Sequence, residues 1–178
     1  MLAYLVLLLA LLSRMLPPLF HSAAMNFTAV GASLLFFGAR RPRWQAGVAV
    51  AAMMATDYLL TVYAYHFAFH VSGYLITWCW YAGVCLLGHR LLNKVTLLRV
   101  LAGALGSATS FFLLSNLVVW MGTMYAHSLA GLGACYAAAL PFYRNDVVST
   151  CLVAGALFGL PILVARFERS QQPARMAA

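Results

Sequence analysis

Long apolar runs, interrupted by prolines and short basic clusters, set the pattern of this chain. The runs lack the strict alternation of a half-buried strand, and most are far longer than a strand. They predict helices in hydrocarbon surroundings, where every backbone polar group must be paired within its own segment. The breaks between them predict six such helices, over residues 2–16, 26–39, 44–65, 73–92, 97–121 and 147–167. Pro17-Pro18 ends the first, because proline lacks the N–H and clashes with the preceding turn. Arg40-Arg41-Pro42-Arg43 ends the second, and Lys94 and Arg99 flank the entry to the fifth. The predicted fold class is all-α: one transmembrane domain over residues 1–178, with a polar tail at 168–178.

The stretch 128–140 is apolar but only 13 residues long, short of the roughly 20 needed for a bilayer core of about 30 Å. Charge argues against counting it as a crossing. With six crossings, nine of the eleven basic residues share one face, as basic residues do on the cytoplasmic side of a membrane. A seventh would separate Arg166, Arg169 and Arg175 from the rest. The stretch is therefore expected to be a short re-entrant or surface helix between spans five and six, with both termini cytoplasmic.

Composition strengthens this picture. Of 178 residues, 65% are hydrophobic and 8% charged, against about 25% charged in soluble domains. A water-soluble globule, a disordered chain and a nucleic-acid-binding domain are all excluded. The net charge of +8 belongs to the edges of spans.

Candidate chemistry falls near the face opposite the basic one. Cys79 lies in Tyr74-Leu75-Ile76-Thr77-Trp78-Cys79-Trp80-Tyr81, near the start of span four. Aromatic residues on both sides predict a flat, water-excluding surround in which a thiolate could ligate a transition metal. A cysteine in such a run also packs simply as a small hydrophobe. His66 and His70 are four residues apart and would share one face of a helix. Asp57, the one acid read within a span, needs a partner or a cavity. Its structural partners would be Arg14, Tyr58 or Asn116. No hydrolase, nucleotide-binding or zinc-protease motif is present in the sequence.

Two signatures carry a family resemblance. The first is Arg14-Met15-Leu16-Pro17-Pro18 leading through His21 to Asn26-Phe27-Thr28-Ala29-Val30-Gly31-Ala32. The second is Ser115-Asn116-Leu117-Val118-Val119-Trp120, followed by Tyr125-Ala126-His127-Ser128-Leu129-Ala130-Gly131-Leu132 and by Cys135 through Pro141-Phe142-Tyr143-Arg144-Asn145. The chain thereby resembles BtuM-type vitamin B12 uptake proteins of the bacterial inner membrane, which are related to the substrate-binding S-components of energy-coupling factor (ECF) transporters. The resemblance implies an S-component-like six-helix fold that captures cobalamin at the outer face. It also implies Cys79 as axial cobalt ligand, giving base-off binding and a route to removal of the upper ligand from cyanocobalamin. His21, Asp57, Tyr81, Asn116, Tyr125, His127 and Arg144 are the polar residues it suggests around the ligand. Uptake could proceed alone or with an ECF energising module. Two alternatives come from other classes: a haem-binding redox subunit with histidine axial ligands, and a transition-metal permease using His66 and His70.

Overall fold

A computed structural model describes the backbone of residues 1–15 and 29–176, with side chains through residue 164. Among these residues there are six α-helices and no strand. They are α1 (Leu2–Ser13), α2 (Val30–Arg40), α3 (Ala46–Leu59), α4 (Leu75–Leu91), α5 (Leu97–Met121) and α6 (Leu129–Met176). A π-helical turn, Leu60–Ala64, prolongs α3. Three stretches are long and apolar enough to cross a membrane: Arg43–Ala64, Leu97–Met121 and Leu129–Val164. The helices α1 and α2, with 12 and 11 residues, rise only about 18 and 17 Å at 1.5 Å per residue.

The short α2 is the centre of the bundle. Every residue from Val30 to Gly38 is buried, and α2 packs on α1, α4, α5 and α6. Two glycines allow its close crossing with α4. A Cβ at Gly38 would fall on the Cys85 carbonyl, and one at Gly88 on the Leu35 carbonyl. Bulk cannot be accommodated at either position, because it is backbone that meets backbone.

Polar contacts tie the elements together at one end. Tyr4 Oη donates to Gln45 Oε1 at 3.0 Å and its ring lies 4.8 Å beneath the Arg41 guanidinium, so the start of α1 meets the α2–α3 connection. Thr96 caps α5 by accepting from the Arg99 amide at 3.3 Å, and Arg99 donates to Asn93 Oδ1 at 3.0 Å. Arg43 and Arg90 line one concavity here, so the basic residues of the α2–α3 and α4–α5 connections share an end, as their spacing predicts.

The surface is inverted relative to that of a soluble protein. Leu5, Leu8 and Leu9 of α1, Leu101 of α5 and Leu160 of α6 are exposed, whereas Asp57, Ser107, Asp146, Ser149 and Thr150 are buried. Such a surface suits hydrocarbon better than water.

The region after α5 departs from expectation. The separate short helix expected at 128–140, the connection after it, the span at 147–167 and a distinct tail are replaced by one helix, Leu129–Met176. Pro141 does not break it. A proline inside a helix frees about one carbonyl, whereas ending the helix frees about four N–H and four C=O groups, a larger cost in apolar surroundings. Side chains also bridge the expected gap. Thr150 Oγ1 donates to Asp146 Oδ1 at 3.3 Å, and Thr109 on α5 is joined to Tyr143 at 2.8 Å.

Candidate functional site

Arg14, the residue that caps the end of α1, forms an ion pair with the buried Asp57 in the last turn of α3. Arg14 Nη1 also donates to Thr56 Oγ1 at 2.8 Å. Asp57 accepts from Trp78 Nε1 at 2.9 Å and from Tyr81 Oη at 3.2 Å, both on α4. Three elements thus converge on one carboxylate. Of the structural partners expected for Asp57, namely Arg14, Tyr58 and Asn116, the structure supplies Arg14. The π-helical turn begins three residues later, and Thr61 within it donates to the Asp57 carbonyl at 2.7 Å. Such turns often sit at functional sites.

A cavity of about 150 Å³ adjoins this cluster, lined by Arg14, Val30, Gly31, Tyr81, Phe111 and Asp146 among others. Asp146 also lines a second cavity of about 90 Å³ together with Ser115, Asn116 and Tyr143. Asp57 is therefore not the sole acid inside the helices. Asp146, expected in a connection, is buried within α6.

Cys79 is exposed, whereas Cys85 and Cys135 are buried and Cys151 is half-buried. It stands in an open groove of about 540 Å³ between α4 and α5, walled by Ile76, Trp80, Val84, Leu87 and Leu114, with Ser110 as a polar lining residue. The aromatic surround expected on both sides is present on one. Trp80 lines the groove, but Trp78 turns inward to Asp57, because residues two apart on a helix diverge by about 200°.

The remaining candidates are dispersed. Asn116 donates to the Phe112 carbonyl of its own helix at 2.7 Å, and His127 Nε2 donates to the Gly122 carbonyl at 2.8 Å. Tyr125 is half-buried in the connection before α6, and Arg144 is exposed on α6. None of these four lines the Cys79 groove, nor do Asp57 and Tyr81, which meet each other instead. His21 lies outside the described residues. His66 and His70 sit in a non-helical connection, His66 with φ of 55°, so their spacing does not give a shared helical face. Among the described residues no group of three metal-ligating side chains gathers.

Sequence reasoning missed Trp78 as a partner of Asp57, and Asp146 with Thr150. The Asp146-x-x-x-Thr150 spacing, one helical turn, was the available signal for the second.

The chain belongs to DUF6580, a family of unknown function whose profile matches residues 1–173. No curated protein and no solved structure matches it.

Proposed function

We propose that this member of the DUF6580 family is a multi-pass protein of the bacterial inner membrane that binds vitamin B12 and mediates its uptake, with the Cys79 thiolate as an axial ligand to cobalt. One observation carries the proposal: of the four cysteines only Cys79 is exposed, and it lines an open groove of about 540 Å³. The two signatures around Asn26 and Asn116 support cobalamin as the solute. The apolar surface supports placement in a bilayer, with the Arg43–Arg90 end toward the cytoplasm.

The chemistry follows from the groove. Its aliphatic walls suit the face of a corrin ring, and sulfur approaching the cobalt from that face displaces the vitamin's own dimethylbenzimidazole. The amide edge of the ring finds only Ser110 as a side-chain hydroxyl in the wall, so it is met by groups beyond the groove. Buried polar groups need partners, which makes those further contacts decisive for affinity.

A growth experiment tests the proposal. In a bacterial strain that requires external vitamin B12 and lacks its own inner-membrane importer, expression of the chain restores growth and the Cys79→Ala variant does so poorly. Failure of the parent chain to restore growth, with the protein present in the membrane, overturns the proposed uptake.

A further inference from the structure

The basic end of the bundle carries an open groove of about 810 Å³, where α4 meets the connections on either side of it in space. Its rim is formed by Arg43, His89, Arg90 and Asn93. The other arginines of this end are engaged within the protein. Arg41 donates to Gln45 and lies over the Tyr4 ring, Arg40 lies over Phe36, and Arg99 donates to Asn93 and to the Leu91 carbonyl. Arg43 and Arg90 are exposed, and neither makes a hydrogen bond or ion pair with a described residue. Among the described side chains the acids are Asp57, paired with Arg14, and Asp146, buried within α6, so none balances them. Asn93 Oδ1 accepts from Arg99 and from the Lys94 amide, which leaves its NH2 group to donate. The rim offers donors and positive charge.

Beyond the rim the same groove is apolar. Gly83, Leu86 and Leu87 line it, all three exposed, and nothing stands within 4 Å of the place a methyl at Gly83 would take. Gly83 lies about 10 Å from Arg90 along α4 at 1.5 Å per residue. That is within the roughly 15 Å that one leaflet contributes to a hydrocarbon core of about 30 Å. Trp44, next to Arg43, is 72% exposed, and tryptophan favours the level of lipid headgroups. Gly83 and Leu87 also line the Cys79 groove, so the apolar furrow continues along α4. One groove thus joins a cationic rim at headgroup level to a bare apolar strip at acyl level.

We propose that this groove is a binding site for one anionic phospholipid, with its phosphate between Arg43 and Arg90 and an acyl chain along Gly83, Leu86 and Leu87. Charge complementarity selects the headgroup. Guanidinium groups hold phosphate through paired, charge-assisted N–H···O bonds. A zwitterionic headgroup carries its own ammonium toward the two arginines, whereas an anionic one carries none. The apolar strip selects a lipid over free phosphate, since it gives the tail a surface that a lone anion does not use. Basic pockets between helices at the membrane surface recognise lipid headgroups by the same means. Bound there, the lipid joins the start of α3 to the end of α4 and neutralises two charges that the protein leaves unpaired.

The test combines native mass spectrometry with thermal unfolding of the delipidated protein in a neutral detergent. Phosphatidylglycerol is titrated against phosphatidylcholine of the same chains and against inorganic phosphate. Phosphatidylglycerol gives a one-lipid adduct and a Tm that climbs with its concentration, as a ligand of the folded state does. Arg43→Gln and Arg90→Gln each weaken that binding about tenfold. Their lipid-free Tm stays within about 2 °C of the parent, because neither side chain is packed or paired. Lys94→Gln removes the same charge from the same end but outside the groove, and leaves binding unchanged. Gly83→Leu fills the strip, keeps both arginines and weakens binding. Equal responses to the two lipids, or a response to phosphate that matches that to phosphatidylglycerol, overturn the proposal. So does a Lys94→Gln loss as large as that of the arginine variants, or unchanged binding in Gly83→Leu. Cys79→Ala binds phosphatidylglycerol as the parent does, so these results stand apart from cobalt ligation.

Discussion

Removal of either partner of the Arg14–Asp57 pair provides the sharpest test of the bundle's interior. The Asp57 side chain is 3% exposed and that of Arg14 16%, so neither charge has ready access to solvent. Breaking a buried ion pair by deleting one member costs about 3–5 kcal/mol, because the survivor is stranded. For a chain of this length each kcal/mol lowers Tm by about 2–4 °C, which predicts a fall of about 6–20 °C for either single variant. The two are not equivalent. In Asp57→Leu the guanidinium keeps its charge at every accessible pH, and the Trp78 and Tyr81 donors lose their acceptor. In Arg14→Leu the stranded carboxylate keeps those two donors, so its loss falls at the lower end of that range and the loss in Asp57→Leu at the upper end. The double variant removes both charges and should recover about 1–3 kcal/mol relative to the sum of the singles. Unfolding of the four proteins in detergent, monitored by thiol-reactive dye or static light scattering, supplies the measurement. Additive losses, or single variants within about 2 °C of the parent, would show that the pair does not act as a buried unit.

Other outcomes follow from the same packing. Gly38→Ala and Gly88→Ala each drive a methyl into a facing carbonyl and are expected to lower stability by about 1–3 kcal/mol or more, whereas Gly47→Ala, with open space around it, leaves Tm unchanged. Equal effects at the three positions would contradict the close α2–α4 crossing. In the folded protein N-ethylmaleimide modifies Cys79 first, and Cys79→Ser removes that fast phase, while Cys85 and Cys135 react only on unfolding. Fast labelling of Cys85 would contradict its burial. Cysteine-scanning accessibility from 136 to 150 should keep a period of about 3.6 residues through Pro141, with Arg144 exposed and Asp146 protected. Loss of period at Pro141 would restore two separate helices.

Helices bounded by strong punctuation were legible in the sequence. The fifth predicted span coincides with α5 because Thr96 caps its start and Gly122 follows its end. The fourth came within two residues of α4 at its start, where aromatic residues continue across the boundary. The run Pro141 to Asp146 misled, because proline and a charged cluster signal a turn in water. In apolar surroundings the helix continues and places Arg144 and Asp146 on different faces. Of the three partners named for Asp57, Arg14 pairs with it, whereas Asn116 bonds to the carbonyl of Phe112 in its own helix. No cue in the sequence marked Ser107, whose position depends on α2 packing against α5. The histidine pair failed for a local reason: α3 ends in a π-helical turn, so the spacing from His66 to His70 belongs to an extended connection.

The visible spectrum of cyanocobalamin bound to the purified protein probes the sulfur–cobalt bond most directly. The parent chain should retain the vitamin and shift its absorption away from that of the free, base-on form, and Cys79→Ala should lose the shift. An unshifted spectrum with the parent, or the same shift with Cys79→Ala, would contradict the assignment of Cys79 as cobalt ligand.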